Sequence, residues 1–458
     1  MLKKTARLGD ARGLLEQVEQ EFRQLTLEDA DPKYAEALAM ARRELGQLLG
    51  MMGRNDDAAA KLREAIAVYV ELGLGQPNHP PYLEGLAATR VDLANALRKL
   101  GRDSDAVQAY RTSIADYADL LRVRPEVPHY RENLALSRTN LAQILHTVGR
   151  NVDAKVECKA ALNEFADLVN GNPGVYRYQE ELATSSATFG AVLRDLNEDT
   201  LAETAFRGAV ERFGDLAAEV REAPVYRSRL AIARSSLGRT LHKMGQHDAA
   251  KTEFLAALET FQDATKEAAD DPYTQNGLAW CYTHLGDLVL ETEQPSQATA
   301  CYAKAMALRE KLAQEPDDLY SLAWFLANCG DLKFRDAERA VRVADDARKK
   351  APENGRYWHM LGMAQYRAGK WDDCIKSLLV AVDLRGESKH ASDWFVMAMA
   401  QWQKDAKDKS KASFDHAIKI MDEHCPGNIE LGKLRQEAAD LLGTSKPAEP
   451  NERQPTQP

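Results

Sequence analysis

The run Leu230-Ala231-Ile232-Ala233-Arg234-Ser235-Ser236-Leu237-Gly238-Arg239-Thr240-Leu241-His242-Lys243-Met244-Gly245-Gln246-His247-Asp248-Ala249-Ala250 decides the fold, because its features recur throughout the chain. Its opening Leu-Ala pair returns at Leu38-Ala39, Leu86-Ala87, Leu134-Ala135, Leu182-Ala183 and Leu278-Ala279, a spacing of 48 residues. Seven residues after each Leu stands a large apolar residue: Leu45, Leu93, Leu141, Phe189, Leu237 and Leu285. The next position is always small: Gly46, Ala94, Ala142, Gly190, Gly238 and Gly286. Twelve residues further on every unit has Ala, at positions 58, 106, 154, 202, 250 and 298.

Spacings of seven and four keep residues on one helical face, so the columns form apolar stripes. The Gly/Ala column lets a facing helix approach closely, since a larger side chain would hold the backbones apart. Between the stripes, Gly53, Gly101, Gly149 and Gly245 fall where a left-handed residue ends a helix. Two residues later Asn55, Asp103, Asn151 and Asp199 read as N-caps, and Asp57, Asp105 and Asp153 put negative charge in the following first turn. Pro32, Pro80, Pro128, Pro224 and Pro272 punctuate the units in step, each followed closely by a Tyr. Two helices of roughly twenty residues per unit result, each about 30 Å long.

In Leu237-Gly238, Ala250, Phe254, Ala257 and in Leu285-Gly286, Ala298, Tyr302, Ala305 the chain resembles the tetratricopeptide repeat. The family unit has 34 residues, so these helices are longer by about two turns. Beyond the sixth unit the spacing shortens: Trp324 and Trp358 are 34 apart and Trp394 follows after 36. The resemblance extends over nearly all of residues 10–442. It implies an all-α, right-handed α-α superhelix, a solenoid of antiparallel helical hairpins. The expected organisation is an N-terminal capping helix or half repeat (1–30), six long repeats (31–315), and two or three of ordinary length (316–424). A capping helix (425–442) and a polar, Pro-rich tail (443–458) complete it. The long repeats also look like those of large bacterial signalling proteins, often beside a serine/threonine kinase domain, although no kinase signature is present.

Composition limits the function. The 458 residues carry a formal charge of −10 and a pI of about 5.6, so nucleic acid is not an expected partner. No apolar run approaches the ~20 residues of a membrane span, and no signal peptide is visible. Six scattered Cys without a CxxC pair read as reduced thiols, pointing to a cytoplasmic protein. Phosphate-binding, zinc-protease and nucleophile-elbow motifs are absent, so no catalytic, metal-binding or cofactor-binding residue is assigned. The His424-Cys425 pair beside Pro426 reads as turn punctuation.

The resemblance implies instead a groove for a partner protein or peptide, lined by the first helix of each unit. Two columns fall on that face. Four residues after the small position lie Arg98, His146, Arg194 and His242; one residue after it lie Asn95, Gln143 and Arg239. These seven are the candidate partner-binding residues. The Arg/His column also lies in the last turn of its helix, where cations gain ~0.3–1 kcal/mol from the dipole with no ligand. A further column, Arg42, Arg90, Arg138 and Arg234, is expected to bridge adjacent units. The expected role is a non-enzymatic protein-interaction scaffold. The alternative is a peptide- or ligand-responsive regulatory module, such as the partner-binding part of a bacterial kinase system.

Overall fold

A computed structural model describes residues 2–76, 79–220, 223–267, 271–385, 390–424 and 428–444, all side chains there except those of 2–6, 429 and 430. Cys425, Pro426 and the tail beyond Thr444 lie outside the described residues. Helix α1 spans Leu2–Glu28. Six hairpins follow: α2 (Pro32–Met51) with α3 (Asn55–Gly75), α4 (Pro80–Lys99) with α5 (Asp103–Val123), and α6 (Pro128–Thr147) with α7 (Asn151–Gly171). Then come α8 (Tyr176–Asp195) with α9 (Asp199–Glu219), α10 (Pro224–Lys243) with α11 (His247–Glu267), and α12 (Pro272–Glu291) with α13 (Pro295–Leu312). Shorter helices close the chain: α14 (Pro316–Asn328), α15 (Ala337–Lys350), α16 (Gly355–Arg367), α17 (Trp371–Arg385), α18 (Ala391–Gln403), α19 (Lys407–His424) and α20 (Ile429–Leu442). There is no strand among the described residues. Consecutive helices pack on one another in antiparallel pairs, giving an all-α right-handed superhelix.

The small column works through one partner. A Cβ added at Gly46 would come within 2.7 Å of Leu62, at Gly190 within 2.9 Å of Phe206, at Gly238 within 3.1 Å of Phe254 and at Gly286 within 2.7 Å of Tyr302. Each of these partners lies sixteen residues after its glycine and is buried. Seven residues further along each second helix runs a second buried column: Tyr69, Tyr117, Phe165, Phe213 and Phe261. Arg309 takes its sixth place, with its guanidinium 4.9 Å from both the Trp280 and Phe325 rings. Full burial of such a large aromatic side chain is worth ~1.5–3 kcal/mol, and this column supplies one in each of the first five long units.

The turns differ in detail from expectation. Gly53, Gly101, Gly149 and Gly245 have φ between 73° and 77°, and Asn197 and Glu293 hold the same left-handed place in the fourth and sixth hairpins. Asn55, Asp103, Asn151 and Asp199, however, are the first helical residues rather than caps. The cap positions belong to Arg54, Arg102, Arg150 and Glu198, none with a side-chain capping bond. The arginines reach forward to Asp57 (2.7 Å), Asp105 and Asp153 instead. A left-handed residue followed by a single non-helical residue (φ −84° to −90°, ψ 56° to 64°) shortens the loop by one position, so the acceptor residues enter the helix.

The second arginine column also stays closer to home than expected. Arg90 pairs with Asp116 and Arg138 with Glu157 (2.8 Å), each within its own hairpin. Arg42 bridges both α1, through Glu19 at 3.0 Å, and α3, through Glu64 at 3.4 Å. Ties between units come from elsewhere: Arg43 to Asp92 at 2.6 Å, and Lys243 Nζ donating to the Arg194 carbonyl at 2.7 Å.

Candidate functional site

The first helices of the hairpins form the inner face of the superhelix, and α6, α8, α10 and α12, with Phe206 and Phe213 of α9, line an open cavity of about 990 Å³. Because successive units repeat at 48 residues, each helix offers the wall the same register positions. The resulting rows are Thr184, Ile232 and Trp280; Thr188, Ser236 and His284; and Ala191 with Arg239. Gln143 reaches the wall from α6, and Arg194, Arg229 and Tyr273 also line it. The surface therefore alternates hydroxyl and amide groups with aromatic and aliphatic faces, and bears several cations.

Trp280 is the centre of the apolar end. His284 stacks on it with centroids 5.7 Å apart, and Trp324 from α14 packs at 5.1 Å. Burial pushes the His284 imidazole down to about 4, with Arg239 and Arg194 adding to the effect and Asp287 opposing it. His284 is thus neutral at pH 7, and its Nδ1 lies 3.6 Å from Asp287. Asp287 in turn accepts a hydrogen bond from the Tyr302 hydroxyl at 2.7 Å. Arg229 pairs with Glu180, which also accepts from the Tyr226 hydroxyl at 3.0 Å.

Of the seven residues singled out from the sequence, Gln143, Arg194 and Arg239 line the cavity. Arg194 is only 5% exposed, with its guanidinium 5.8 Å from the Phe206 ring. The other four lie outside the lining. Asn95 accepts from the Tyr110 hydroxyl at 2.6 Å, the counterpart of the Tyr302–Asp287 bond. Arg98 is exposed. His146 Nδ1 pairs with Asn151 Oδ1 at 2.9 Å, and its Nε2 lies 3.8 Å from Asp195. His242 pairs with Glu291 of the next hairpin at 2.7 Å. Of the Arg/His column, Arg194 alone among the four lines the wall, while His146 and His242 pair at the ends of the hairpins. The rows holding Trp280 and His284 are not singled out by the sequence reading, although they lie at the same period, seven and three residues before the Arg239 column.

The buried thiols belong to the packing. Burial pushes Cys158, Cys281 and Cys374 up to about 12, so none is a ready nucleophile. Among the described residues no group of three or more His, Cys, Asp or Glu side chains converges to hold a metal ion. Nor, among those residues, is any helix long and apolar enough to cross a membrane.

Two stretches match tetratricopeptide-repeat family profiles: residues 232–263, across α10 and α11, and residues 330–388, across α15 to α17. The chain carries tetratricopeptide repeats in both stretches. One match falls on a long hairpin and the other on the ordinary-length ones, so both kinds of unit carry the repeat. No curated protein sequence matches the chain. Among solved structures it is similar to the apo quorum sensor NprR from B. thuringiensis (14% identity, 84% of this chain and 99% of that one, TM-score 0.42). It is also similar to BtubC from P. vanneervenii (18% identity, 67% and 92%, TM-score 0.33) and to yeast Tom70 (13% identity, 88% and 76%, TM-score 0.30).

Proposed function

We propose that this protein is a non-enzymatic interaction scaffold that holds extended segments of partner proteins against the inner wall formed by α6, α8, α10 and α12. The observation that supports this is the cavity itself: about 990 Å³, continuous over four helices, with polar groups interleaved between apolar faces. An extended chain needs both, since its backbone amides seek hydrogen-bond partners while its side chains seek apolar pockets. Arg239 brings a guanidinium to that wall that favours an acidic side chain in the segment. Trp280, flat and flanked by His284 and Trp324, is the anchor position for an aromatic or aliphatic side chain.

The test is selection of random peptides on the purified protein, followed by calorimetry of those selected. Trp280→Ala and Arg239→Ala should each weaken the selected peptides at least tenfold, whereas Lys411→Ala, on the exposed face of α19, should leave them unchanged. Peptides that bind all three variants equally, or a selection that enriches nothing, would remove the groove reading.

A further inference from the structure

The superhelix touches itself at positions more than two hundred residues apart. A Cβ built on Gly101, in the turn between α4 and α5, would lie 2.5 Å from the side-chain oxygen of Asn354 and 3.1 Å from its Cα. Asn354 caps α16, in the eighth hairpin. The equivalent glycines of the first and fifth hairpins, Gly53 and Gly245, meet nothing within 4 Å. At the head of α5, Asp103 faces Arg385 and Arg356 of the same late hairpin; burial there pushes its carboxyl up to about 6 despite those guanidinium groups and Arg98. Two hairpins further along both gyres, Asn428 at the head of α20 donates to Asp195 at the end of α8, at 3.2 Å. The spacing is the same in both places: the second hairpin meets the eighth, and the fourth meets what would be the tenth.

We propose that the row of hairpin turns on one edge of the long-repeat array is an intramolecular docking surface, and that its occupant is this chain's own block of ordinary-length repeats. The superhelix completes a turn in six hairpins, so the heads of α16 and α20 come down on the turns of the second and fourth. The docking is polar: a glycine that admits Asn354, an acid between two arginines, and an amide on a carboxylate. Such contacts hold register without the large apolar burial of a permanent interface, which suits a contact that opens and closes. The length change in the repeats supports it, since shorter helices let the second gyre seat against the first. Closed, the docked block brings Lys433 of α20 near Asp287, the neighbour of the cavity residue His284. An extended segment threads in; a folded domain has to wait for the dock to open. This consequence rests on the groove reading, whereas the dock itself does not.

Matched substitutions test it on the full chain without any ligand. Gly101→Ala and Gly53→Ala pay the same left-handed backbone penalty, but only the first collides with Asn354. Asp103→Arg and Asn55→Arg occupy the same register, but only the first faces Arg356 and Arg385. Small-angle scattering should show a larger radius of gyration for Gly101→Ala and Asp103→Arg than for their partners. Amide hydrogen exchange at the heads of α16 and α20 should quicken at least fivefold. If Gly101→Ala fails to fold, Asn428→Asp serves from the other side: it keeps the capping acceptor for Leu431 but sets a carboxylate against Asp195. Matched pairs with the same radius and the same exchange would overturn the dock. Loss of peptide selection at Trp280 with the dock intact would instead count against the groove alone.

Discussion

At the left-handed turn position the repeat is written in residues of unequal fitness. Four long hairpins place Gly there, while the fourth places Asn197 at φ 61° and the sixth Glu293 at φ 58°. Asn tolerates this region through its short polar side chain, but Glu meets its own carbonyl at a cost of ~1–2 kcal/mol. Glu293→Gly should therefore raise stability by about 1 kcal/mol, measured as a shift in the urea midpoint at unchanged slope. Asn197→Gly should gain less. An unaltered midpoint for Glu293→Gly would mean that this turn relaxes its backbone when the side chain is present. The comparison with Gly101 separates two demands on one column: positive φ at every turn, and an empty Cβ position where Asn354 arrives.

The long helices are legible in the sequence as pairs of about twenty residues, because a column repeated six times averages away local noise. Pro at the head of α2, α4, α6, α10 and α12 marks each start, as the punctuation implies. The wall was less legible. Arg239, Gln143 and Arg194 were found through their period, yet Trp280 and His284 share that period and look like ordinary variation in Thr184–Ile232–Trp280 and Thr188–Ser236–His284. A binding column varies in chemistry from unit to unit, so regularity finds the spine more easily than the site. The environment of α12 carries its own test. His284, held neutral by burial with a folded value of about 4, binds fewer protons than it does in the unfolded chain between pH 4 and 6.5. Stability is therefore present above pH 6.5 and lost as pH falls toward 4, by at most ~1.4 kcal/mol per unit for each such group. His390, pushed down to about 3 by burial and by Arg385, acts in the same direction. Denaturant titrations from pH 7 to 4 should show the decline, and His284→Gln should remove its own share of the slope while His390's remains. An equal slope in the variant would place His284 in contact with water.

The whole molecule obeys two periods, and they respond differently to deletion. Within a gyre, each hairpin contacts mainly its neighbours, so stability is close to a sum of units and interfaces. Removing residues 135–182 joins Leu134 to Ala183, the same Leu-Ala step that every long unit carries. All stripes then stay in register. Removing 24 residues instead would set a first helix where a second belongs and turn the small column away from its Leu, Phe or Tyr partner. The 48-residue deletion should fold with the same helical content per residue and one cooperative melt, and the 24-residue deletion should do neither. Between gyres the rule is different, since contact depends on the number of hairpins per turn. The sequence holds no repeated column for Gly101 with Asn354 or for Asp195 with Asn428, so the periodicity carries no sign of this closure. Losing one long hairpin shifts every later unit by one place around the superhelix and carries Asn354 away from Gly101. Circular dichroism and thermal melting of the in-register deletion should therefore look native, while its scattering matches the expanded Gly101→Ala chain. If the deletion stayed as compact as a closed ring, packing within the gyre alone would set the curvature, and the turns of α4–α5 and α8–α9 would have no part in it.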